Sequence, residues 1–398
     1  MHAMLHTLIW TLLWLLTLPA LFACGYVLLA TLLSARPRVP PPSSRQLRFD
    51  LIVPAHNEAS VIERTVASLR ALDWPADRFR VLVVTDNCSD NTAALAAAAG
   101  AEVLERRDSR QRGKGYALDF GFRHSAGQSW ADAVVVVDAD SEASANLLEA
   151  CAARLERGAD AVQVHYGVLN PWASWRTRLI TIAKAAFHIV RSRARERLQL
   201  SCGIRGNGWC VTHKLLRQLP FHAFSVTEDV EYGIDLGLAG WRVHYADEAH
   251  VDGEMASNAK VASRQRQRWE SGRFQLIRQR TWPLLRAAVR RRSRVCLDLA
   301  FDLMVLPLSY VALNVTAVAV LVVLATRMGQ IPDAWLAAPV FCIACLLLYV
   351  LRGWQLSGTG TRGLLDLGSA PAFLAWKLLL TLQRGNKGEW VRTERERP

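Results

Sequence analysis

The stretch Ala133-Val-Val-Val-Val-Asp-Ala-Asp140 places a run of valines directly before two carboxylates. A short apolar run of β-branched residues predicts a strand that is buried on both faces, as in a parallel sheet. Because residues two apart in an extended segment point to the same side, Asp138 and Asp140 would face one ligand together. Such a pair suits a hard divalent cation shared with substrate phosphates, and capping of the following helix is the alternative.

Strand and helix patterns alternate around this stretch and predict an α/β domain with a mostly parallel sheet. Ligands of such sheets bind beyond the carboxyl ends of the strands, where the polar segments Pro54–Glu58, Thr85–Asp90 and Asp138–Asp140 fall. The predicted strands are Phe49–Val53, Val81–Thr85, Ala133–Val137 and Ala161–His165, and the predicted helices are Ala59–Leu72, Asn91–Ala99 and Ala143–Arg157.

Long uncharged stretches near both ends of the 398-residue chain indicate a membrane protein. Three of them are each long enough for one spanning helix: Leu8–Leu33, Leu303–Thr326 and Ala334–Leu351. A fourth apolar stretch, Gly363–Leu382, contains charged residues and a proline, and it predicts a helix that lies in the membrane surface.

The distribution of positive charge predicts the orientation in the membrane. The chain has 48 Lys+Arg against 35 Asp+Glu, but 51% of its residues are hydrophobic and clustered, so we expect membrane lipids and no nucleic acid as partners. Basic residues cluster at 36–48, 290–294 and 384–397, and the positive-inside rule places all three clusters in the cytosol. We therefore expect a multi-pass protein of the bacterial inner (cytoplasmic) membrane with a cytosolic middle domain.

Two further segments contain groups that suit a nucleotide. Asp86 ends a predicted strand and is able to accept hydrogen bonds from a base or ribose, and an Asx-type turn is its alternative role. The segment Arg112–Gly115 opens a helix with a lysine between two glycines, which favours a phosphate. It is not a P-loop, because the sequence lacks G-x-x-x-x-G-K-[ST].

Groups that suit an acceptor follow later in the chain. Asp229, after Thr227 and Glu228, is a candidate general base for an acceptor hydroxyl, and helix capping is the alternative. The turn Gly206–Trp209 lets backbone approach a ligand closely. Trp209 and Trp269 offer flat apolar faces to a sugar ring.

Two arginine-rich helices have alternative interpretations. Gln265-x-x-Arg268-Trp269 alone suggests a basic amphipathic helix. Together with the upstream carboxylates, it suggests a binding site for a sugar and a diphosphate. The run Arg191–Arg197 predicts either a solvated helix face or contact with anionic lipid headgroups, and both remain open.

Taken in this order, Asp86, Asp138-x-Asp140, Asp229 and Gln265-x-x-Arg268-Trp269 resemble one family, the inverting, membrane-integrated family 2 glycosyltransferases. That group includes the cellulose, hyaluronan, chitin-oligosaccharide and poly-N-acetylglucosamine synthases. The resemblance covers roughly residues 48–280, and its further strings are V-P-A-H-N-E, T-D-N-C-S-D, R-G-K-G-Y-A-L and the tail Glu389–Thr393.

The resemblance implies a GT-A fold, with a mixed, mostly parallel sheet flanked by transmembrane and interfacial helices. The expected parts are an N-terminal transmembrane helix (1–35), a cytosolic GT-A domain (36–295), two transmembrane helices (296–352), and an interfacial helix with a basic cytosolic tail (353–398).

Residue roles follow from the same resemblance. It makes Asp229 the catalytic base, and it makes Asp138 and Asp140 the ligands of Mg²⁺ or Mn²⁺. The implied nucleotide-sugar contacts are Pro54, His56, Glu58, Asp86, Lys114, Asp138, Gln265 and Arg268. The implied acceptor contacts are Gly206, Asn207, Glu228 and Trp269.

The expected reaction moves a sugar from a UDP-sugar to a polysaccharide, oligosaccharide or lipid-linked acceptor, with a β-linkage, at the inner face of the membrane. One base and one displacement invert the anomeric centre, whereas retention requires a nucleophile for which the sequence offers no clear candidate. Processive and single transfer both remain open, as do an export partner and self-association. The alternative function is a catalytically inactive nucleotide-sugar-binding scaffold of a polysaccharide export complex.

Overall fold

A computed structural model describes residues 2–255 and 259–371, and these divide into two compact units. The sheet unit comprises Arg36–Thr177 and Arg195–Ala300. The helical unit comprises residues 2–35, Arg178–Ala194 and residues 301–371.

An eight-stranded sheet forms the centre of the sheet unit, with the strand order β3-β2-β1-β4-β7-β6-β8-β5. The strands are β1 Phe49–Ala55, β2 Phe79–Asp86, β3 Glu102–Arg106, β4 Ala133–Val136, β5 Ser141–Ala143, β6 Ala161–Val168, β7 Trp209–Thr212 and β8 Val243–Gly253. Strands β3, β2, β1 and β4 are parallel neighbours, as are β6 and β8. Strands β4 and β6 pair antiparallel with β7, and β5 pairs antiparallel with β8. The predicted mostly parallel sheet is therefore confirmed.

Apolar side chains cover both faces of this sheet. In β4, Val135 packs into one hydrophobic cluster, while Val134 and Val136 pack into the cluster on the opposite face. Leu51 and Ile52 of β1 divide in the same way. This alternation explains why the valine run has no polar position: each successive side chain enters a different core.

Helices surround the sheet and build the other unit. They are α1 His2–Leu32, α2 Ile62–Arg70, α3 Thr92–Ala98, α4 Lys114–Gln128, α5 Leu147–Leu155, α6 Trp175–Lys184, α7 Arg191–Arg197, α8 His213–Gln218, α9 Glu228–Leu238, α10 Ala259–Arg290, α11 Arg294–Met304, α12 Leu308–Arg327, α13 Ala337–Ser357 and α14 Gly360–Asp366. A π-helical segment, Ala185–Val190, connects α6 to α7.

Three helices of the helical unit are long and apolar enough to cross a membrane: His6–Leu32, Leu308–Arg327 and Asp333–Ser357. They correspond to the three predicted spans. The predicted surface helix Gly363–Leu382 falls partly on α14 and a short 3₁₀ turn at 367–369, and its remainder from residue 372 lies outside the described residues, as does the tail Glu389–Thr393.

Both interpretations of the arginine run are wrong for Arg191 and Arg195, because both side chains are buried. In the helical unit, Nη1 of Arg191 lies 3.0 Å from Oδ1 of Asp302. In the sheet unit, Nε of Arg195 lies 2.9 Å from Oδ2 of Asp298. A buried arginine requires such a partner, because removing an unpaired charge from water costs several kcal/mol of folding free energy.

Candidate active site

The three polar segments that follow β1, β2 and β4 meet at one edge of the sheet, because these strands are parallel neighbours. Nδ1 of His56, just after β1, lies 2.6 Å from the carbonyl oxygen of Asp86 at the end of β2. Pro54 is within β1, and the backbone N–H of Glu58 donates to Oγ1 of Thr92 at 2.9 Å. The structure thus brings His56 into contact with Asp86 and places Pro54 and Glu58 at or just after the end of the neighbouring strand β1.

The carboxylate of Asp86 is buried and held by two donors. Nη1 of Arg106 lies 2.6 Å from Oδ1 of Asp86, and Nδ2 of Asn87 donates to the same oxygen at 2.9 Å. Sequence reasoning missed Arg106. The register between two strands is what identifies this residue: Arg106 ends β3 directly beside Asp86, which ends the parallel strand β2. The Arg106 guanidinium also lies 5.7 Å from the centre of the Tyr116 ring.

Lys114 is the first residue of α4 and connects several candidate groups. Its Nζ lies 2.6 Å from Oδ1 of Asp138 and 3.4 Å from Oε1 of Glu228. The same ammonium donates to the carbonyl oxygen of Gly206 at 3.1 Å. One lysine therefore joins the carboxylate after β4, the acidic motif that opens α9, and the turn before β7.

Charge and burial in this cluster shift the ionisation of its members. Burial raises the pKa of Glu228 to about 7, although the Lys114 ammonium opposes the shift. Burial also raises the pKa of Asp229, again against the effect of Lys114. For Lys114 itself burial lowers the pKa, but Asp138, Glu228 and Asp229 outweigh it and raise the pKa overall. A buried carboxyl group with a raised pKa beside a fixed cation is suited to accept a proton.

The turn before β7 supports both sides of this cluster. Gly206 has φ +95°, and a Cβ there would lie 3.5 Å from Oδ2 of Asp229, so its backbone approaches the candidate base closely. Oδ1 of Asn207 accepts the backbone N–H of Asp138 at 3.0 Å, and its Nδ2 donates to Oγ of Ser141 at 2.7 Å. That hydroxyl donates to Oδ1 of Asp140 at 3.3 Å. Asn207 is fully buried, and it is hydrogen-bonded directly to the backbone of Asp138 and, through Ser141, to the side chain of Asp140.

The donor set fits a hard divalent cation. Within the described part of the chain, no group of three His, Cys, Asp or Glu side chains is arranged to hold a metal ion. The residues that would hold a cation at this edge are Asp138 and Asp140, through their carboxylate oxygens. Mg²⁺ and Mn²⁺ accept such an oxygen-rich set of ligands.

Helix α10 carries the Gln265-x-x-Arg268-Trp269 motif. The side chains of Gln265 and Arg268 lie outside the described part of the structure, and Trp269 is 40% exposed. One turn later, a Cβ on Gly272 would lie 2.6 Å from Cγ2 of Thr227. The helix therefore packs directly on the residue that precedes Glu228 and Asp229.

The expectation that Trp209 offers a face to a sugar ring is wrong. Trp209 is 1% exposed and belongs to the hydrophobic cluster under the sheet. Its ring packs against Phe122 at 5.8 Å and Tyr232 at 6.0 Å between centroids. The polar turn before it had suggested a surface position, but β7 is a central strand and turns this side chain into the core.

Comparison with known proteins yields a consistent group of relatives. The family model described as "Glycosyltransferase like family 2" matches residues 46–272. The "Probable glycosyltransferase YdaM" of Bacillus subtilis is 27% identical over 234 residues, which are 56% of this chain and 55% of that protein. The "Beta-monoglucosyldiacylglycerol synthase" of Synechocystis is 28% identical over 235 residues, which are 56% of this chain and 47% of that protein. The chain thus spans about half the length of the curated relatives it matches.

One solved structure shares the fold over most of its length. It is a mannosyltransferase, PcManGT from Pyrobaculum calidifontis, in complex with GDP-Man and Mn²⁺. The TM-score is 0.51 at 19% sequence identity, and the match covers 85% of this chain and 98% of the other.

Proposed function

Because this chain belongs to glycosyltransferase family 2 and has the GT-A fold, we propose that it is an inverting glycosyltransferase that uses a UDP-sugar. The observation that carries the proposal is the position of Lys114. Its ammonium contacts Asp138, which is proposed to bind the donor and the metal ion. It also contacts Glu228, which precedes the candidate base Asp229. A donor phosphate, an acceptor hydroxyl and a base would therefore meet in one charged pocket.

The proposed reaction is a single displacement. Asp229 takes the proton of the acceptor hydroxyl while that oxygen bonds to the anomeric carbon, and the bond from this carbon to the diphosphate breaks. The leaving diphosphate gains negative charge, which Lys114 and Arg268 stabilise where it develops. A divalent cation held by Asp138 and Asp140 supplies further positive charge there when bound. The anomeric centre inverts, so an α-linked donor gives a β-linked product.

The pair Asp86–Arg106 supports uracil as the donor base. Both described donors to Asp86 reach Oδ1, which leaves Oδ2 as the acceptor for a ligand. Uracil has one N–H donor flanked by carbonyl oxygens, and it would place that donor on Asp86 and a carbonyl oxygen near Arg106. Guanine presents two adjacent N–H donors, which are best matched by a carboxylate with both oxygens open. We therefore expect UDP to bind more tightly than GDP.

The acceptor is proposed to be a glycan or a lipid-linked molecule at the inner face of the bacterial cytoplasmic membrane. The three apolar helices support a membrane-bound, multi-pass protein, and the positive-inside rule supports a cytosolic sheet unit. One relative is named as a synthase of glucosyldiacylglycerol, which makes diacylglycerol a sensible acceptor to include in a screen. An export partner or a second copy of the chain remains part of the proposal.

The decisive experiment compares Asp229→Asn with the wild type, using purified full chain, Mn²⁺ and a panel of UDP-sugars and acceptors. General base catalysis contributes about 10²–10⁴-fold, so we expect a loss of product formation of that size with UDP binding retained. The matched control is Asp235→Asn on the same helix, where Arg280 keeps its other partner Glu231. Undiminished transfer by Asp229→Asn would exclude it as the base, and UDP-sugar binding without any transfer by the wild type would support the inactive scaffold.

A further inference from the structure

An aromatic pair joins the start of α4 to the segment that leads into α9. The rings of Tyr116, in the first turn of α4, and Phe224 lie 4.4 Å apart between centroids, and their planes are inclined by only 11°. Phe224 belongs to residues 219–227, which follow α8 and precede α9, and we call this segment the α8–α9 loop. The backbones also meet, because a Cβ at Gly115 would collide with the carbonyl oxygen of Ala223 and lie 3.2 Å from Cα of Phe224. The first turn of α4 therefore packs directly on this loop.

The α8–α9 loop is also attached to α9, the helix that carries the candidate base. The ring of Phe221 packs edge-on against Tyr232 of α9 at 5.0 Å between centroids, and it meets Phe224 at 6.4 Å. The backbone N–H of Ser225 donates to Oε2 of Glu231, in the first turn of α9, at 3.3 Å. A displacement of the loop would therefore be felt where α9 begins.

Arg106 connects the same pair to the proposed nucleotide site. Its buried guanidinium lies 5.7 Å from the centre of the Tyr116 ring and 2.6 Å from Oδ1 of Asp86. The same Nη1 donates to the carbonyl oxygen of Gln111 at 2.7 Å, so the guanidinium has a defined position. A nucleobase on Asp86 would meet the guanidinium that packs on Tyr116. Contacts thus run without a break from Asp86 through Arg106 and Tyr116 to Phe224.

We propose that Tyr116 and Phe224 are positioning residues that couple binding of a nucleoside diphosphate to the placement of the α8–α9 loop. This inference rests on the proposed function, because it takes Asp86 and Arg106 as the nucleobase site and Asp229 as the base. A bound nucleotide fixes the guanidinium over the Tyr116 ring, and the stacked rings pass this constraint to the loop. The donor would thereby place the start of α9 before the acceptor reacts.

The packing of the α8–α9 loop suits such coupling. Phe221 and Ala223 are buried, whereas Phe224 is 38% exposed and Val226 is 45% exposed. A segment that buries only part of its apolar surface opens at a lower free energy than the core of the same domain. A nucleotide that binds the closed arrangement more tightly than the open one shifts this equilibrium. The effect is reciprocal, so a closed loop also strengthens nucleotide binding.

The test measures hydrogen exchange of the loop amides in the full-length protein with Mn²⁺, in the presence and absence of UDP. In the wild type we expect UDP to slow exchange of residues 219–227 by about fivefold or more, the size of a typical coupling between two sites. Tyr116→Ala should abolish this slowing, while the Kd for UDP rises by no more than the same factor. Tyr116→Phe keeps the stacked ring and should retain the slowing. Trp172→Ala is the control for loss of a ring, since Trp172 is 55% exposed and belongs to another segment of the sheet unit.

Two further variants separate the coupling from folding and from catalysis. Phe224→Ala removes the other ring at a half-exposed position, and it should also abolish the slowing if Tyr116→Ala does not fold. Asp229→Asn should lose transfer and keep the slowing, because it leaves the stack intact. UDP binding to the wild type without slowing, or slowing that persists in Tyr116→Ala, would overturn this inference alone. A wild type that does not bind UDP would overturn both the inference and the proposed donor.

Discussion

The ammonium nitrogen of Lys114 lies 2.6 Å from Oδ1 of Asp138, and the same nitrogen lies 3.4 Å from Oε1 of Glu228. The first residue of α4 thus connects the carboxylate that follows β4 with the carboxylate that opens α9. These groups are far apart in sequence and belong to the donor side and the base side of the proposed reaction. A change in the charge of Lys114 should therefore affect both.

Removal of this charge should shift the pH dependence of catalysis. Lys114 opposes the rise in pKa that burial imposes on Glu228 and Asp229, so Lys114→Gln should raise both pKa values further. Because the base acts when deprotonated, activity is lost as the pH falls through its pKa. The acidic limb of kcat/KM should move to higher pH by about one to two units, while Lys114→Arg stays near the wild type. An unmoved acidic limb in Lys114→Gln would contradict the coupling.

Arg106 should matter for binding of the nucleotide. Its guanidinium is the cationic partner of the buried Asp86 carboxylate, so Arg106→Gln leaves that charge poorly compensated. Loss of one partner of a buried pair costs about 3–5 kcal/mol, and we expect a lower unfolding midpoint together with weaker UDP binding. Calorimetric titration with UDP and GDP checks the second effect. The adjacent Arg107→Gln is the control, since its side chain is 83% exposed, and equal behaviour of both variants would refute the role.

Asn207 should control the affinity for the divalent cation through the residues it braces. Asn207→Ala removes the acceptor for the Asp138 backbone N–H and the donor to Ser141, which contacts Asp140. Loss of such supporting hydrogen bonds typically costs about 10–100-fold in metal affinity, so the Mn²⁺ concentration for half-maximal activity should rise by that factor. Asn146→Ala is the control, because its amide bonds to the Glu248 carbonyl instead. An unchanged Mn²⁺ concentration for half-maximal activity would show that the hydrogen bonds of Asn207 do not affect the affinity for the cation.

Trp269→Ala should affect the acceptor more than the donor. The indole is 40% exposed, and Trp269 lies about one turn before Gly272, which approaches Thr227 beside Glu228 and Asp229. We expect the KM for the acceptor to rise about tenfold, since stacking on an apolar ring is lost, while the Kd for UDP stays within about twofold. Equal losses in both constants would place Trp269 elsewhere in the site.

The parts of the fold that the sequence predicted are those with local signals. The valine run is apolar throughout and the runs of β1 and β2 are mostly apolar, and the polar residues after these three strands fall at one edge as the parallel arrangement requires. The antiparallel strand β7 between β4 and β6 has no comparable signal, since its four residues follow a glycine-rich turn. The misplacement of Trp209 has the same origin.

Contacts between distant residues were beyond the sequence patterns. Arg191 and Arg195 fit a basic helix face by spacing, but their partners Asp302 and Asp298 come more than one hundred residues later. Arg106 acquires its role only through the register between β2 and β3. Periodicity reports which side of an element is apolar, but it does not report which charged residue on another element will neutralise a buried one.

A close approach between α10 and Thr227, the residue before Glu228 and Asp229, gives the last prediction. A Cβ at Gly272 would lie 2.6 Å from Cγ2 and 3.0 Å from Oγ1 of Thr227, so Gly272→Ala must displace the helix or the start of α9. Overpacking of this kind costs about 1–3 kcal/mol, and a shift of the base relative to Trp269 should lower kcat about 10–100-fold. Gly127→Ala is the matched control, because nothing lies within 4 Å of a Cβ at that helical position.

A second substitution separates a steric effect from a general loss of folding. Thr227→Ser removes Cγ2, the atom nearest to the added methyl group, so the double variant Gly272→Ala/Thr227→Ser should recover most of the lost activity. The interaction energy of this cycle in the activation free energy should be negative, with a magnitude above about 1 kcal/mol, as expected for residues in direct contact. Additive effects of the two substitutions would mean that α10 does not position the base through this contact.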